Sequence, residues 1–275
     1  MSLFSVLMSV YAKEKTEYFV SAMDSILSQT LKPDEIVLVR DGAVSEELQA
    51  VIDRYLAAYG ELFKYIPLDE NVGLGNALRI GVEAASHELI ARMDTDDFAL
   101  PDRFELQMAY MDAHPDVSLL GGQIAEFIDS PEQPVSIRKV PCEYKEICQF
   151  LKKRNAFNHM TVVFRKSAVL KAGNYLDLPY MEDYFLWCRM YLSGENFANM
   201  PQILVKARIG ADMYRRRGGY AYFKSWKKFE DFKLKQNITS RIDYIKTLSM
   251  RFVVHVLLPN QIRGWILKTF SRSKK

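Results

Sequence analysis

The chain has 275 residues, 49% hydrophobic and 26% charged, with 37 Lys/Arg against 34 Asp/Glu and a formal net charge of +3. That length holds one large or two small domains with a proper core, and the composition excludes disordered and collagen-like classes. Charge is spread unevenly: residues 206–275 carry 18 Lys/Arg against 4 Asp/Glu, so an acidic body precedes a basic tail that is expected to meet an anionic surface.

Phe4–Tyr11 reads as a first strand, and Tyr18–Ser28 sets Phe19, Val20, Met23, Ile26 and Leu27 on helical spacing. The opening FSVLMSVY has no basic segment before it and runs into charged KEKTE, so it reads as a buried strand rather than a signal peptide. After a Lys32-Pro33-Asp34 turn, Glu35–Val39 is a second buried strand ending in Arg40-Asp41-Gly42. Glu46–Tyr59 is an amphipathic helix and Phe63–Pro67 a short third strand. Leu74–Ala85 is a helix introduced by the glycine-rich run Asn71-Val72-Gly73-Leu74-Gly75-Asn76, and Leu89–Met93 is a fourth strand. Strands alternating with helices predict a βαβ series and a mostly parallel sheet. Right-handed crossovers then bring the strand tips at Tyr11, Asp41 and Asp94 to one edge, around a nucleotide-sized cleft.

That fourth strand carries the densest chemistry. LIARMDTDD is apolar through Leu89, Ile90, Ala91 and Met93, with one charge at Arg92, and then delivers Asp94, Asp96 and Asp97. Carboxylates packed this closely repel each other, and burying them unpaired is costly. A hard divalent ion such as Mg²⁺ or Mn²⁺ would relieve them and keep open positions for phosphate oxygens. The carboxyl end of a strand is where open α/β sheets bind ligands. The plain alternative is an acidic turn capping the helix that starts near Pro101.

Beyond it, a helix is expected over Arg103–His114, strands over Val117–Ile128 and Met160–Phe164, and a proline-rich loop or edge over Ser130–Pro141. Glu182-Asp183 precedes an aromatic-rich helix at Tyr184–Leu192, followed by a strand over Phe197–Ile209 and a basic loop at Met213–Gly219. Cys142, Cys148 and Cys188 have no C-x-x-C spacing and make no zinc pattern with the four histidines. They read as reduced small hydrophobes, which fits a reducing cytosol. The longest late apolar run, Phe252–Leu258, falls far short of the roughly 20 residues that a spanning helix needs.

With these pieces in order, FSVLMSVYAKE, EIVLVRDG, NVGLGNALRIGVEAA, ARMDTDDFALPDRFELQ, NHMTVVFRK and YMEDYFLW make the sequence resemble the family 2 glycosyltransferases. These are inverting enzymes with the GT-A fold, and the resemblance is to bacterial members that build capsule, exopolysaccharide or lipopolysaccharide. It implies an α/β catalytic domain over residues 1–217, with a nucleotide-binding half (1–100), an acceptor-binding half (101–217), and a helical basic tail over 218–275. It also implies transfer of a hexose from a UDP-sugar to a glycan or polyprenyl-diphosphate-linked acceptor. The Q-x-x-R-W pattern of processive members is not found, which favours a single addition.

The resemblance further implies roles for individual residues. Asp41 would accept the uracil N3–H with Tyr11 beside the base, Asn71 and Gly73 would flank the nucleotide, and Arg79 would reach a phosphate. Asp94 would bind the ribose or the metal, and Asp96 the Mn²⁺ or Mg²⁺. Asp97 would be a second ligand or a helix cap. Asp183 would be the general base, or the N-cap of its helix, with Glu182 orienting the acceptor and His159 near the sugars. Arg216 and Arg217 would sit on a loop able to close over the diphosphate. Sugar-1-phosphate nucleotidyltransferases are a second parallel-sheet class, but their glycine-rich basic signature is missing where this chain has YAKEKTE. A glycan-binding member without catalysis is a third reading.

In the tail, Tyr222, Phe223, Trp226, Phe229 and Phe232 interleave with Lys224, Lys227, Lys228, Lys233 and Lys235. Ile262, Trp265, Ile266, Leu267 and Phe270 follow with Arg263 and Lys268. This describes a helix lying on anionic lipid, or else a helical pair packed on the catalytic domain. The expectation is a cytoplasmic enzyme, peripheral on the inner face of the cell membrane, with no nucleic-acid partner.

Overall fold

The computed structural model describes residues 1–210 and 218–258. Its first half runs β1 (Phe4–Tyr11), α1 (Thr16–Leu27), β2 (Glu35–Asp41), α2 (Glu46–Tyr59), β3 (Phe63–Pro67), α3 (Leu74–Ala84) and β4 (Leu89–Arg92). β1, β2 and β4 are apolar runs because both faces of the sheet are covered there, while β3 at the edge is only partly buried. Phe4, Val6, Met8 and Val10 of β1 enter one core with Ile36 and Leu38 of β2, while Leu7, Val37 and Val39 enter the other. The first core is closed by α1, α2 and α4 (Arg103–Ala113). Local signals agree with this arrangement: the Ser45 hydroxyl accepts the Leu48 amide at 3.2 Å and Glu46 and Glu47 follow, so α2 starts with a cap and a favourable dipole.

β5 (Phe98–Ala99), β6 (Val117–Phe127), β7 (Ser136–Arg138), β8 (Val163–Arg165) and β9 (Asn196–Arg208) extend the same sheet. The order is β3-β2-β1-β4-β8-β6-β9-β5, with β7 on β6. The first four strands are parallel and β8 pairs antiparallel with β4. Tyr11 lies opposite Asp41 and Leu7 opposite Arg92, so the carboxyl ends of β1, β2 and β4 share one edge, as the crossovers require. The strand expected from Met160 starts only at Val163, because His159–Thr161 forms a 3₁₀ turn. The short helices α5 (Tyr144–Leu151) and α6 (Lys166–Lys171) lay outside the expected pattern.

The second core gathers α3, α5, α6, α7 (Glu182–Leu192) and, from the tail, α8 (Gly219–Lys235). This corrects the expectation that the tail's aromatic side lies in lipid. Tyr222, Trp226 and Phe229 are buried. Tyr184 of α7 packs on Phe229 and Trp226 at 4.4 and 6.3 Å between ring centroids, and Phe185 on Phe232 at 4.8 Å. Lys233, expected among the exposed cations, is buried in an ion pair with Glu230 at 2.9 Å. The next helix, α9 (Arg241–Phe252), buries no residue, and Ile242 and Ile245 are 66% and 62% exposed. Trp265 and the other apolar residues after 258 lie outside the described residues.

If α8 belongs to the core, Phe229→Ala should cost about 3–5 kcal/mol in urea denaturation. A loss below about 1 kcal/mol would mean that α8 is a detachable appendage.

Candidate active site

The site is built at the strand tips. Asp41, at the end of β2, is buried and takes two donors: its Oδ1 accepts the Val72 amide at 2.7 Å and its Oδ2 the Asn71 side-chain amide at 3.0 Å. The Asn71 amide also donates to the Asp41 carbonyl at 3.1 Å. Gly42 has φ +82°, and a Cβ there would sit 2.8 Å from the Asn71 nitrogen, so only glycine lets the loop close on the strand. Tyr11 stands beside Asp41 in register and is half-buried. Gly73 is the N-cap residue of α3. Arg79 is further along α3, with its side chain exposed.

The acidic loop after β4 is held from behind by guanidiniums. Arg92 is buried, and its Nη2 donates to Asp94 Oδ1 at 2.6 Å. Arg103, fully buried, donates to the Arg92 carbonyl at 2.7 Å and to Gln107 Oε1 at 3.0 Å. Asp97 accepts the Arg208 amide at 2.7 Å, and Arg208 Nε donates to the Asp96 carbonyl at 3.2 Å. Asp97 is therefore not the cap of α4, whose N-cap position is Asp102; its carboxylate is turned to β9 instead. The Thr95 hydroxyl donates to Glu14.

Electrostatics separate these acids. Burial opposes the charge on Asp94, but Arg92 outweighs it and holds Asp94 below the usual carboxylate range. Asp96 has no such partner among the described residues: burial, then Asp94 and Glu14, push it up to about 7. Burial with Asp96 and Asp94 raises Asp97 well above its ordinary value. Glu14 is raised chiefly by burial.

The opposite wall comes from α7. Asp183 is not its N-cap, a position held by Met181, but lies in the first turn. Asn155 Nδ2 donates to Asp183 Oδ2 at 2.6 Å, and Asp183 Oδ1 accepts the Tyr184 amide at 2.7 Å. Glu182 Oε1 accepts the Tyr180 amide at 3.1 Å. Glu182 also touches the nucleotide-side helix, since a Cβ at Gly75 would lie 3.0 Å from its Cγ. Burial pushes Glu182 up to about 7. His159 Nε2 is 2.9 Å from the Tyr175 hydroxyl. Burial and Arg92 push His159 down to about 4 against the pull of Asp183 and Asp94, so the ring is neutral near pH 7 and faces acids from both halves. Arg216 and Arg217 lie outside the described residues.

Known proteins share this frame. A family model described as "Glycosyl transferase family 2" matches residues 5–172. The chain belongs to glycosyltransferase family 2. It is 46% identical to the amylovoran biosynthesis glycosyltransferase AmsE of Erwinia amylovora, over 81% of this chain and 82% of that one. It is 36% identical to the Escherichia coli UDP-Gal:alpha-D-GlcNAc-diphosphoundecaprenol beta-1,3-galactosyltransferase, over 98% of this chain and 96% of that one. Among solved structures, Staphylococcus aureus TarS with UDP-GlcNAc superposes with a TM-score of 0.61 at 16% identity, covering 98% of this chain and 71% of that one. The mannosyltransferase PcManGT of Pyrobaculum calidifontis, with GDP-Man and Mn²⁺, gives 0.65 at 14% identity, covering 95% and 72%. The fold is thus GT-A and the protein a glycosyltransferase of the bacterial polysaccharide type. The nucleotidyltransferase and non-enzymatic alternatives fall with that assignment.

Family 2 enzymes of this fold commonly use a divalent metal. Among the described residues no group of three or more His, Cys, Asp or Glu is arranged to hold one. The donor set nonetheless fits a shared ion: the Asp96 carboxylate lies within electrostatic reach of Asp94 and Glu14, and no guanidinium among the described residues is bonded to that carboxylate. Mg²⁺ commonly binds through one or two carboxylates, with substrate phosphates and water completing the sphere. A wholly protein-built cage is not present among these residues.

Sequence reading passed over Arg92, Arg103, Asn155, Tyr175 and Glu14. A lone arginine inside an apolar strand, two residues before an aspartate, is a signal that could have pointed to the buried ion pair.

Glu182 sets a pH dependence. Its folded value near 7 lies above the ordinary carboxylate 4.5, so the folded chain holds this proton more tightly. The resulting stability is present below about pH 4.5 and lost as pH rises through about 7. Glu182→Gln should therefore raise Tm relative to the parent more at pH 8 than at pH 5. An equal gap at both values would mean that Glu182 is ionised without penalty.

Proposed function

We propose that this chain transfers one hexose, with inversion, from a UDP-sugar to a lipid-linked glycan in bacterial surface polysaccharide synthesis. The observation that carries this reading is that His159, bonded to Tyr175, lies within electrostatic reach of both Asp94 at the end of β4 and Asp183 on α7, which supports one cleft for donor and acceptor. The donor and acceptor classes draw support from the relative named for UDP-Gal and GlcNAc-diphosphoundecaprenol.

Asp41 would read the base, with Tyr11 beside it: both its oxygens already accept one donor, and each retains a lone pair for the uracil N3–H. Asn71 and Gly73 shape the loop over the nucleotide. Arg79, Arg216 and Arg217 are assigned to the diphosphate. Asp94 and Asp96 would hold Mg²⁺ or Mn²⁺, which when bound supplies Lewis-acid stabilisation of the departing diphosphate. Asp183 takes the proton of the acceptor hydroxyl as that oxygen attacks the anomeric carbon. The bond from this carbon to the β-phosphate oxygen breaks, and its electron pair leaves with UDP. Glu182 and His159 orient the acceptor and the sugars.

Calorimetric titration of UDP with and without Mn²⁺ tests the donor side. Asp96→Ala should lose metal-dependent binding. Asp183→Asn should bind UDP like the parent yet lose about 10²–10⁴-fold in transfer from UDP-galactose to a synthetic GlcNAc-diphosphate lipid. Binding of GDP or dTDP in place of UDP would overturn the uracil assignment at Asp41. Transfer by Asp183→Asn at the parent's rate would overturn the base.

The tail is proposed to hold the enzyme peripherally on the inner face of the cell membrane. No helix among the described residues is long and apolar enough to cross a membrane. The exposed apolar residues of α9 (Ile242, Ile245, Met250, Phe252) are flanked by exposed Arg241 and Lys246, a pairing that suits anionic lipid better than α8 does. Co-flotation with phosphatidylglycerol vesicles, but not with pure phosphatidylcholine, is expected to weaken in Ile245→Asp. Equal flotation of variant and parent would remove α9 from the contact.

A further inference from the structure

We propose that Asn155 is a positioning residue for Asp183, its side-chain amide holding the carboxylate that takes the acceptor's proton. The inference rests on the assignment of Asp183 as base. Asn155 lies on the loop between α5 and the His159 turn. Its Nδ2 donates to Asp183 Oδ2 at 2.6 Å, while its Oδ1 accepts the Phe157 amide at 3.2 Å. The second bond decides the first. Turning the amide over would set oxygen against oxygen at Asp183 and NH₂ against N–H at Phe157.

The loop itself is anchored at both ends of this contact. Arg138 on β7 donates to the Asn155 carbonyl at 3.3 Å. Phe157 is buried and packs edge-on against Trp187 at 5.8 Å, one helical turn beyond Asp183 on α7. Asp183 thus has one oxygen tied to its own helix through the Tyr184 amide and the other tied across to the loop. Two donors of different origin fix the carboxylate's rotation and leave a lone pair on Oδ2 for a proton. A hydrogen bond from a neutral amide also favours the ionised form that a base needs. The other titratable groups facing Asp183 are Glu182, Tyr184 and Cys188 on its own helix and His159 and Tyr175 across from it.

The test titrates Asp183 directly by NMR, with ¹³C in the aspartate side-chain carboxyls and the Asp183 signal identified by its absence in Asp183→Asn. Asn155→Ala should move the titration midpoint to higher pH, and Asn155→Asp, which sets a second carboxylate against the first, should move it further. In transfer from UDP-galactose to a synthetic GlcNAc-diphosphate lipid, the ascending limb of kcat against pH should shift the same way. The Tm and the heat of UDP titration of Asn155→Ala should match the parent's, which separates the effect from misfolding. A midpoint unmoved in both variants overturns the role of Asn155 while leaving Asp183 as base. Parental transfer by Asp183→Asn overturns the base and this inference together.

Discussion

Everything at this site depends on how the protein tolerates like charge. Asp94, Asp96, Asp97 and Glu14 are gathered at the tip of β4, in a setting where each raises the cost of ionising another. The chain answers unevenly. Arg92 neutralises Asp94, the Arg208 amide serves Asp97, and Asp96 is left uncompensated. An acid that no cation among the described residues pairs with, next to one that is already paired, gives the cluster a single point where an added cation gains most. That asymmetry is what the proposed metal–diphosphate site rests on, because a solvent-facing acidic turn would spread its charge to water.

The guanidiniums behind the loop have a cost of their own. Burial together with Arg92 pushes Arg103 down to about 9, with Asp97 and Asp94 pulling the other way. Two buried cations side by side are tolerated because Asp94, paired with Arg92, stays charged in front of them. The acids and the arginines are therefore one unit, and neither half is stable as an isolated design. The hydrogen bond from Arg103 to the Arg92 carbonyl makes the backbone part of it, which ties α4 to the tip of β4 and explains why a helix outside the nucleotide half shapes the loop.

The nucleotide half was legible almost residue by residue. β1, α2 and β3 begin and end where the sequence pattern does: β1 because a strand covered on both faces is a continuous apolar run, α2 because a Ser45 cap and helical spacing mark it. Legibility fell in the second half for physical reasons. β8 is three residues long and its Met160 and Thr161 belong to a 3₁₀ turn, so a strand-like run of side chains did not imply strand backbone. β5 has two residues and exists only through pairing with β9, a long-range fact that no local window contains. At the site, Asp41, Asp94, Asp96 and Asp183 announced themselves by residue type and position, whereas Asn155 did not, since an asparagine in a polar loop gains meaning only from what faces it.

The tail shows the same limit from the other side. Its alternation of aromatic and basic residues fits a lipid-facing helix and a core-facing one equally well, since both need one apolar stripe. What decides is the partner: α7 brings Tyr184 and Phe185 to α8, and a surface already rich in rings buries Trp226 and Phe229. The charges then have to be accommodated. Lys233 reaches Glu230 and lies over the Tyr184 and Phe229 rings, and Arg251 of α9 stacks 3.1 Å above the centre of Trp226. A buried cation such as Lys233, which needs both a carboxylate and ring faces, holds in one register only, because a shift by one residue would leave it unpaired in an apolar interior. The same helix that presents Glu182 and Asp183 at its first turn is thus packed against α8 through Tyr184 and Phe185, so the position of these two acids is set in part by packing away from the cleft.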